Sequence, residues 1–336
     1  MKKRVLIVGF GSAIFLSGCM STNIRPPSTY TKVSLPPADI MPTKEEVSGT
    51  RTKVVIFNAE DGNVELAKSA KIGHSVASSL ETYIAETGSE IVDRTIAQKL
   101  KEEIQLAEMK GKSEYSGPNI ADYAITGTIS TANVGSKFQE ASQWQDKKGQ
   151  WHSSPAKCTY SANVKGNLRI YKLPALSFSK AINIDDGVST SQETRNSRCP
   201  YSRGSQEGLV QQAASAAVKD ARIEFQNYFA PKAYILERRQ SEGENIFKLS
   251  RGKDFGFTPQ SDISIFHLEE STNPLTQEVN VEEYAIAEGT ISNEVGQNHA
   301  WIVVDEEEAN KIKLGDYVKV LYEKSAFESV GSLLKF

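Results

Sequence analysis

Hydrophobic and polar positions divide the chain into stretches with different periods. Val5 to Leu16 is an almost unbroken apolar run behind Lys2, Lys3 and Arg4. From Met20 to about Thr50 no apolar period is visible, and Pro26-Pro27, Pro36-Pro37 and Pro42 punctuate the segment. Such composition predicts a flexible, partly extended tether. Order begins at "TKVVIFNAED", where Val54, Val55, Ile56 and Phe57 form a short continuous apolar run, the pattern of a buried strand. Leu66, Ala70, Gly73, Val76, Ala77, Leu80, Tyr83 and Ile84 then recur at three-and-four spacing and predict a helix. The small residues on its face allow close approach to a sheet. Gly88 stops it, and "EIVDR" reads as a second strand. "TIAQKLKEEI" opens a second helix with Thr95 and Gln98 in capping-box spacing and Ile96, Leu100 and Ile104 four apart.

A long β region follows. "ADYAITGTIS" is a strand, and "TYSANVKGNLRIY" alternates: Tyr160, Ala162, Val164, Leu168 and Ile170 face one way, Ser161, Asn163, Lys165 and Arg169 the other. "LSFSKAINI" is its expected partner. A third helix, 209–229, carries Val210, Ala213, Ala214, Ala217, Ala221, Phe225 and Tyr228 on one face. Beyond Ala233, "KAYILERR", "NIFKLS", "DISIFHLEE", "EYAIAEGTIS", "HAWIVV" and "DYVKVLYE" are short strands separated by turn residues. Strands and helices mix without a strict βαβ repeat. The fold class is therefore α+β: a mixed sheet covered by about three helices, followed by a small all-β barrel or sandwich. The expected boundaries are a signal peptide at 1–18, a tether at 19–50, an α+β domain at 51–230 and a barrel-like domain at 231–336.

The apolar run at the start spans about a dozen residues, too short for the roughly 20 a bilayer-crossing helix needs. With its basic flank it reads as the core of a secretory signal. Its end, Leu16-Ser17-Gly18-Cys19, resembles the lipobox of bacterial lipoproteins. The resemblance implies cleavage before Cys19 and acylation of its thiol. Several acyl chains would anchor firmly, at about 0.8 kcal/mol per buried methylene. Met20, rather than aspartate, implies by the same resemblance that the anchor sits in the outer membrane, facing the periplasm.

Cleavage would leave about 318 of 336 residues, enough for two domains. The formal charge of −3 argues against a nucleic-acid surface. With Cys19 lipidated, Cys158 and Cys199 remain, and an oxidising compartment favours one disulfide between them. Two separate buried thiols are the alternative. His74, His152, His267 and His299 are scattered, in no metal-ligand spacing, and the chain holds no GxSxG, phosphate loop or calcium ladder. Asp185-Asp186 before Gly187 reads as a turn, and Glu306 to Glu308 as a solvated face. No catalytic residue, metal or cofactor is expected. Trp144 and Trp151 flank "QDKKGQ" on a loop, and either fold back on the sheet or contact a protein partner.

"VVIFNAED", a helix, "EIVDRTIAQKLKEEI" and "ADYAITGTIS" together resemble the domain of the curli-secretion lipoprotein CsgG. That domain is related to the amino-terminal domain of TolB and to lipoprotein activators of penicillin-binding proteins. The resemblance covers roughly Lys53 to Ala230. "RGKDFGFTPQSDISIF" and "IKLGDYVKVLY" resemble the small barrel of FlgT-type flagellar ring proteins. These likenesses imply a non-enzymatic scaffold in a flagellar or secretion-associated ring, with protein partners in the periplasm or outer membrane and a ring-forming homo-oligomer. The alternatives are a curli-type channel subunit and a lipoprotein regulator of a peptidoglycan synthase, whose tether would cross the peptidoglycan. Lys137, Lys165, Arg169, Lys180 and the polar "SQWQDKKGQW" loop depart from what membrane hairpins require.

Overall fold

The computed structural model describes residues 22–110, 117–118, 120–277 and 279–323; Cys19 and the signal segment lie outside them. The proline-punctuated stretch expected to be a free tether is, from Thr22 on, built into the fold. Thr31–Val33 (β1) and Lys44–Ser48 (α1) belong to it, and Ile24, Tyr30 and Ala38 are buried. It lacks an apolar period because it holds the protein by single side chains and by backbone pairing, neither of which needs one.

The first large unit is a five-stranded sheet. Its order is β3 (Glu90–Val92), β2 (Lys53–Ile56), β4 (Tyr123–Gln139), β7 (Lys157–Lys172), β8 (Ser177–Glu193). β2 runs parallel to both neighbours, and β4, β7 and β8 form an antiparallel meander. The helix expected over Leu66 to Ile84 is two: α2 (Glu65–Ala70) and α3 (Ile72–Ala85), broken at Lys71 in the left-handed region (φ 52°). Gly73 follows at once, with its backbone so close to the strand exit that a Cβ would lie 1.8 Å from the Ala59 carbonyl oxygen. α2, α3 and α5 (Arg203–Tyr228) cover one face, where Val76, Leu80, Val210, Ala213, Ala214 and Phe225 pack on Ile125, Val164, Leu168 and Ile170.

α4 (Gln98–Lys110) covers part of the other face through Ala97, Leu100 and Ile104, which meet Val55, Phe57, Ala124 and Tyr171. Four helices therefore lie on the sheet, where about three were expected. Thr95 does not cap α4; its N–H and hydroxyl both donate to Asp93 Oδ1 (2.8 and 2.7 Å), and Ile96 is 68% exposed. Beyond α4 no described element covers this face. Ser161, Lys165 and Arg169 of β7 are exposed there, and Asn163 and Asn167 partly so. Lys165 pairs with Asp185 (2.6 Å) and Asn167 with Asn183 (2.8 Å). Asp185 and Asp186 thus lie within β8 and not in the expected turn. The polar ladder keeps the strand going through Gly187.

The second unit closes on itself. β9 (Lys232–Ser241), β10 (Glu244–Leu249), β13 (Ala300–Val304), β12 (Val279–Val295), β11 (Asp262–Thr272) and β14 (Tyr317–Val320) form an antiparallel barrel completed by the β14–β9 pairing. Ile235, Phe247, Phe257, Ile265, Ile302 and Val318 fill it. Glu306–Ala309 (α6) is a single turn between β13 and β14. The units meet where the Gly88 backbone abuts that of Phe255 and Gly256, and where Asn227 and Tyr322 exchange two 2.9 Å hydrogen bonds.

Candidate functional site

Among the described residues, three places hold groups that could act: an exposed ribbon, a groove beside α4 and a histidine cluster. The ribbon is β5 (Ser142–Gln145) with β6 (Trp151–Ser154), a two-stranded extension between β4 and β7. Its turn is organised by Asp146, whose Oδ1 accepts from the N–H groups of Lys148 and Gln150 (both 2.9 Å). Its Oδ2 lies 3.1 Å from His152 Nε2. Those bonds, the Gln150 N–H first and His152 next, hold the carboxyl below its usual range. Gly149, at φ +81°, supplies the left-handed residue the turn needs.

His152 is directly opposite Trp144, and the rings stack with centroids 5.5 Å apart. Trp151 is opposite Gln145 and adjacent in the chain to His152, so it points to the other side of the ribbon. Trp144 is 50% exposed and Trp151 72%. The fold-back alternative is therefore not what the chain adopts. The two tryptophans do not form one patch either; each face of the ribbon carries one.

The groove, of about 330 Å³, lies between α4 and the start of the long strands, lined by Glu60, Gln105, Glu108, Thr126, Thr128 and Arg169. Glu108 accepts from Arg169 (3.2 Å) and from the Tyr171 hydroxyl, and Gln105 donates to Glu60 (2.8 Å). Burial and then Glu108 push the Tyr171 phenol up to about 12. The groove's acids are thus engaged by neighbouring donors, an arrangement that packs α4 onto the sheet. Nearby, Arg94 bridges Asn58 and Glu81 across the ends of the parallel strands.

The third place was not legible in the sequence. His267, buried on β11, has Nδ1 2.6 Å from Asp316 Oδ1 and Nε2 2.9 Å from Asp39 Oδ2. Lys313 Nζ lies 3.0 Å from the same Asp39 oxygen, and Glu269 Oε1 is 3.9 Å from Nε2. Burial pulls the imidazole's pKa down, but the carboxylates of Asp316 and Asp39 outweigh it and the result is raised. Burial likewise raises Asp316 above its ordinary value, against the His267 bond. Asp39, His267 and Glu269 place three ligand-type atoms within 4.8 Å of one another. The Lys313 ammonium already supplies the positive charge there, so the cluster acts as a clamp joining the amino-terminal segment to the barrel. His74 is exposed, and His152 belongs to the ribbon.

The expected disulfide is present. Cys158, at the start of β7, is bonded to Cys199 in the loop before α5, with Cα atoms 5.5 Å apart. Beside it Tyr160 stacks on Tyr201 at 3.9 Å and donates to the Pro200 carbonyl (3.1 Å).

No family model matches the chain, and no curated protein matches it. Among solved structures, a minor lipoprotein from Acinetobacter baumannii is similar at 6% identity, over 57% of this chain and 98% of that one, with a TM-score of 0.26. Lipoprotein GNA1162 from Neisseria meningitidis is similar at 10% identity, over 50% and 96%, with a TM-score of 0.23. A PelC dodecamer from Paraburkholderia phytofirmans is similar at 11% identity, over 55% and 91%, with a TM-score of 0.20. These likenesses take in about half of this chain and nearly all of theirs, and at such TM-scores they carry no functional argument.

Proposed function

We propose that the chain is a lipoprotein anchored through Cys19 to the periplasmic face of the outer membrane. There it serves as a non-enzymatic scaffold in an envelope assembly, a flagellar or secretion-associated ring. The observation that carries this reading is the two-faced ribbon, an exposed β-hairpin with one tryptophan on each side, fixed by Asp146 and His152 on a rigid sheet. Tryptophan is favoured at the centres of protein interfaces. A partner that clasps the ribbon would bury both rings.

The channel alternative asks the long strands for a lipid-facing apolar band. β7 instead buries one side under α5 and offers Ser161, Asn163, Lys165, Asn167 and Arg169 on the other. A Lys or Arg turned to the bilayer midplane costs about 2–4 kcal/mol each. The regulator alternative asks for a free tether long enough to cross peptidoglycan, and the strap from Thr22 onward is spent on the barrel.

Crosslinking of the native lipoprotein in the envelope, followed by capture, should recover a periplasmic or outer-membrane protein. Trp144→Ala and Trp151→Ala should each reduce that yield several-fold while leaving stability within about 0.5 kcal/mol, as for exposed positions. Stable single-channel currents in planar bilayers, or capture indifferent to both substitutions, would contradict the scaffold reading.

A further inference from the structure

The amino-terminal strap is bonded along its length. The Asn293 N–H donates to the Thr22 carbonyl (3.1 Å), and the Ile24 N–H donates to Asn293 Oδ1 (2.8 Å). Ile24 and Tyr30 are buried with Ile246, Trp301 and Val303 on the outside of the barrel. β1 pairs with β9, Thr31 opposite Gln240 and Val33 opposite Arg238. Arg239 donates to the Pro27 carbonyl (2.7 Å), and the Ala38 N–H donates to the Leu314 carbonyl (2.8 Å). Asp39 then enters the His267 clamp, and Arg251 donates to the Glu46 carbonyl (3.1 Å).

The first of these bonds falls at Thr22, and only Met20 and Ser21 separate it from Cys19. Three Cα steps at full extension span at most about 11 Å. We infer that the barrel end bearing Asn293 and the turn from Glu294 to His299 is held against the phospholipid surface, with no intervening tether. This rests on the acylation of Cys19 proposed above. Lys253 and Asp254, whose N–H groups donate to the Gly296 and Gln297 carbonyls (3.0 and 3.2 Å), lie at the same end. β12 runs away from it for 17 residues, about 50 Å of strand. At its far end the β11–β12 hairpin carries Leu275, 92% exposed. The arrangement therefore has a membrane pole and a distal pole, joined by one strand.

The test uses the full acylated chain in phosphatidylethanolamine and phosphatidylglycerol vesicles with headgroup-nitroxide lipid. A fluorophore is placed at Gln297→Cys or at Leu275→Cys; the bonded Cys158 and Cys199 take no label. Quenching at position 297 should exceed that at 275 at least threefold. Ten Gly/Ser residues inserted between Ser21 and Thr22, a coil of about 17 Å, should remove the difference. Equal quenching in the unmodified chain, or a difference that survives the insertion, overturns the proposal while flotation and the mass of the acylated peptide still uphold the anchor. A chain that neither floats nor carries acyl mass overturns the anchor, and the proposal with it.

Discussion

Removing the Cys158–Cys199 bond tests how the start of β7 is held to the loop that leads into α5. The bond joins positions 41 apart, tying the first residues of β7 to the loop that turns into the long helix. Chain-entropy bookkeeping for a loop of that length gives about 4 kcal/mol at 25 °C through restriction of the unfolded ensemble. The native side subtracts something. Cys199 sits at φ 46°, in the left-handed region, and the loop can relax once the bond is gone. Small cavities add something back, because both sulfurs are buried. The double substitution Cys158→Ala/Cys199→Ala should therefore cost about 2–4 kcal/mol, with most of it absent when either sulfur is removed under fully reducing conditions.

Urea melts of the chain lacking residues 1–19, followed by far-UV circular dichroism, measure the loss. Trp301 gives a second view, since it is buried on the barrel wall, 5% exposed. In a background with Trp144→Phe and Trp151→Phe its emission reports the barrel alone. The circular-dichroism transition should fall to lower urea while the Trp301 transition stays within about 0.5 kcal/mol, because the bond lies wholly in the first unit. A loss under about 1 kcal/mol, or free thiols at both positions in protein taken from the envelope, would refute the reasoning.

Two further outcomes follow from the geometry. Gly73→Ala should destabilise by at least about 1–3 kcal/mol, since its Cβ would sit 1.8 Å from the Ala59 oxygen. Gly135→Ala, with nothing within 4 Å of the added carbon, should be near neutral in the same urea melts. The His267 clamp should weaken as pH rises. Its folded pKa is raised, so its contribution is complete below the ordinary histidine value of about 6.5 and is lost as pH climbs through the raised one. On the acid side, Asp39 is held below its usual value, by the His267 bond first and Lys313 next, so its contribution starts to go as pH falls through 3.8 and is gone below its lowered value, while Asp316, raised by burial, takes up its proton at a higher pH. Hydrogen exchange at the Ala38 amide, corrected for intrinsic rate, should lose protection above neutral pH in the native chain and not in His267→Gln; protection independent of pH would count against the clamp.

How much of this was legible depended on whether a residue's role was written in its neighbours. The alternation of β7 was readable because α5 covers every second side chain and water wets the rest. The barrel strands were readable because each carries inward apolar residues and is bounded by turns, although β12 runs on to 17 residues. The strap was not, since edge pairing at β1 uses backbone atoms that any sequence supplies, and Ile24, Tyr30 and Ala38 follow no period. Nor was the clamp, whose partners Asp39 and Asp316 lie 228 and 49 positions from His267. The break at Lys71 was hidden too. The apolar spacing continues through it, and only the contact between Gly73 and Ala59 requires the second helix to start afresh. Cys158 and Cys199 could be paired by elimination, whereas the opposed directions of Trp144 and Trp151 needed the register.

That register bears on how a scaffold with two poles would work. At the distal pole, Glu269, Glu270 and Glu282 are exposed along the β11–β12 hairpin beside Val279, Val281 and Leu275. An anionic leaflet repels such charges over about a Debye length, roughly 8 Å at physiological salt. The hairpin is therefore stable pointing away from the membrane and costly pointing toward it. With Cys19 acylated as proposed, the strap sets this orientation by covalent reach; the charge of the hairpin agrees with it but, screened within a Debye length, does not hold it alone. A protein oriented this way presents its apolar side chains to soluble partners at a fixed height, which a molecule swinging on a 30-residue coil could not do.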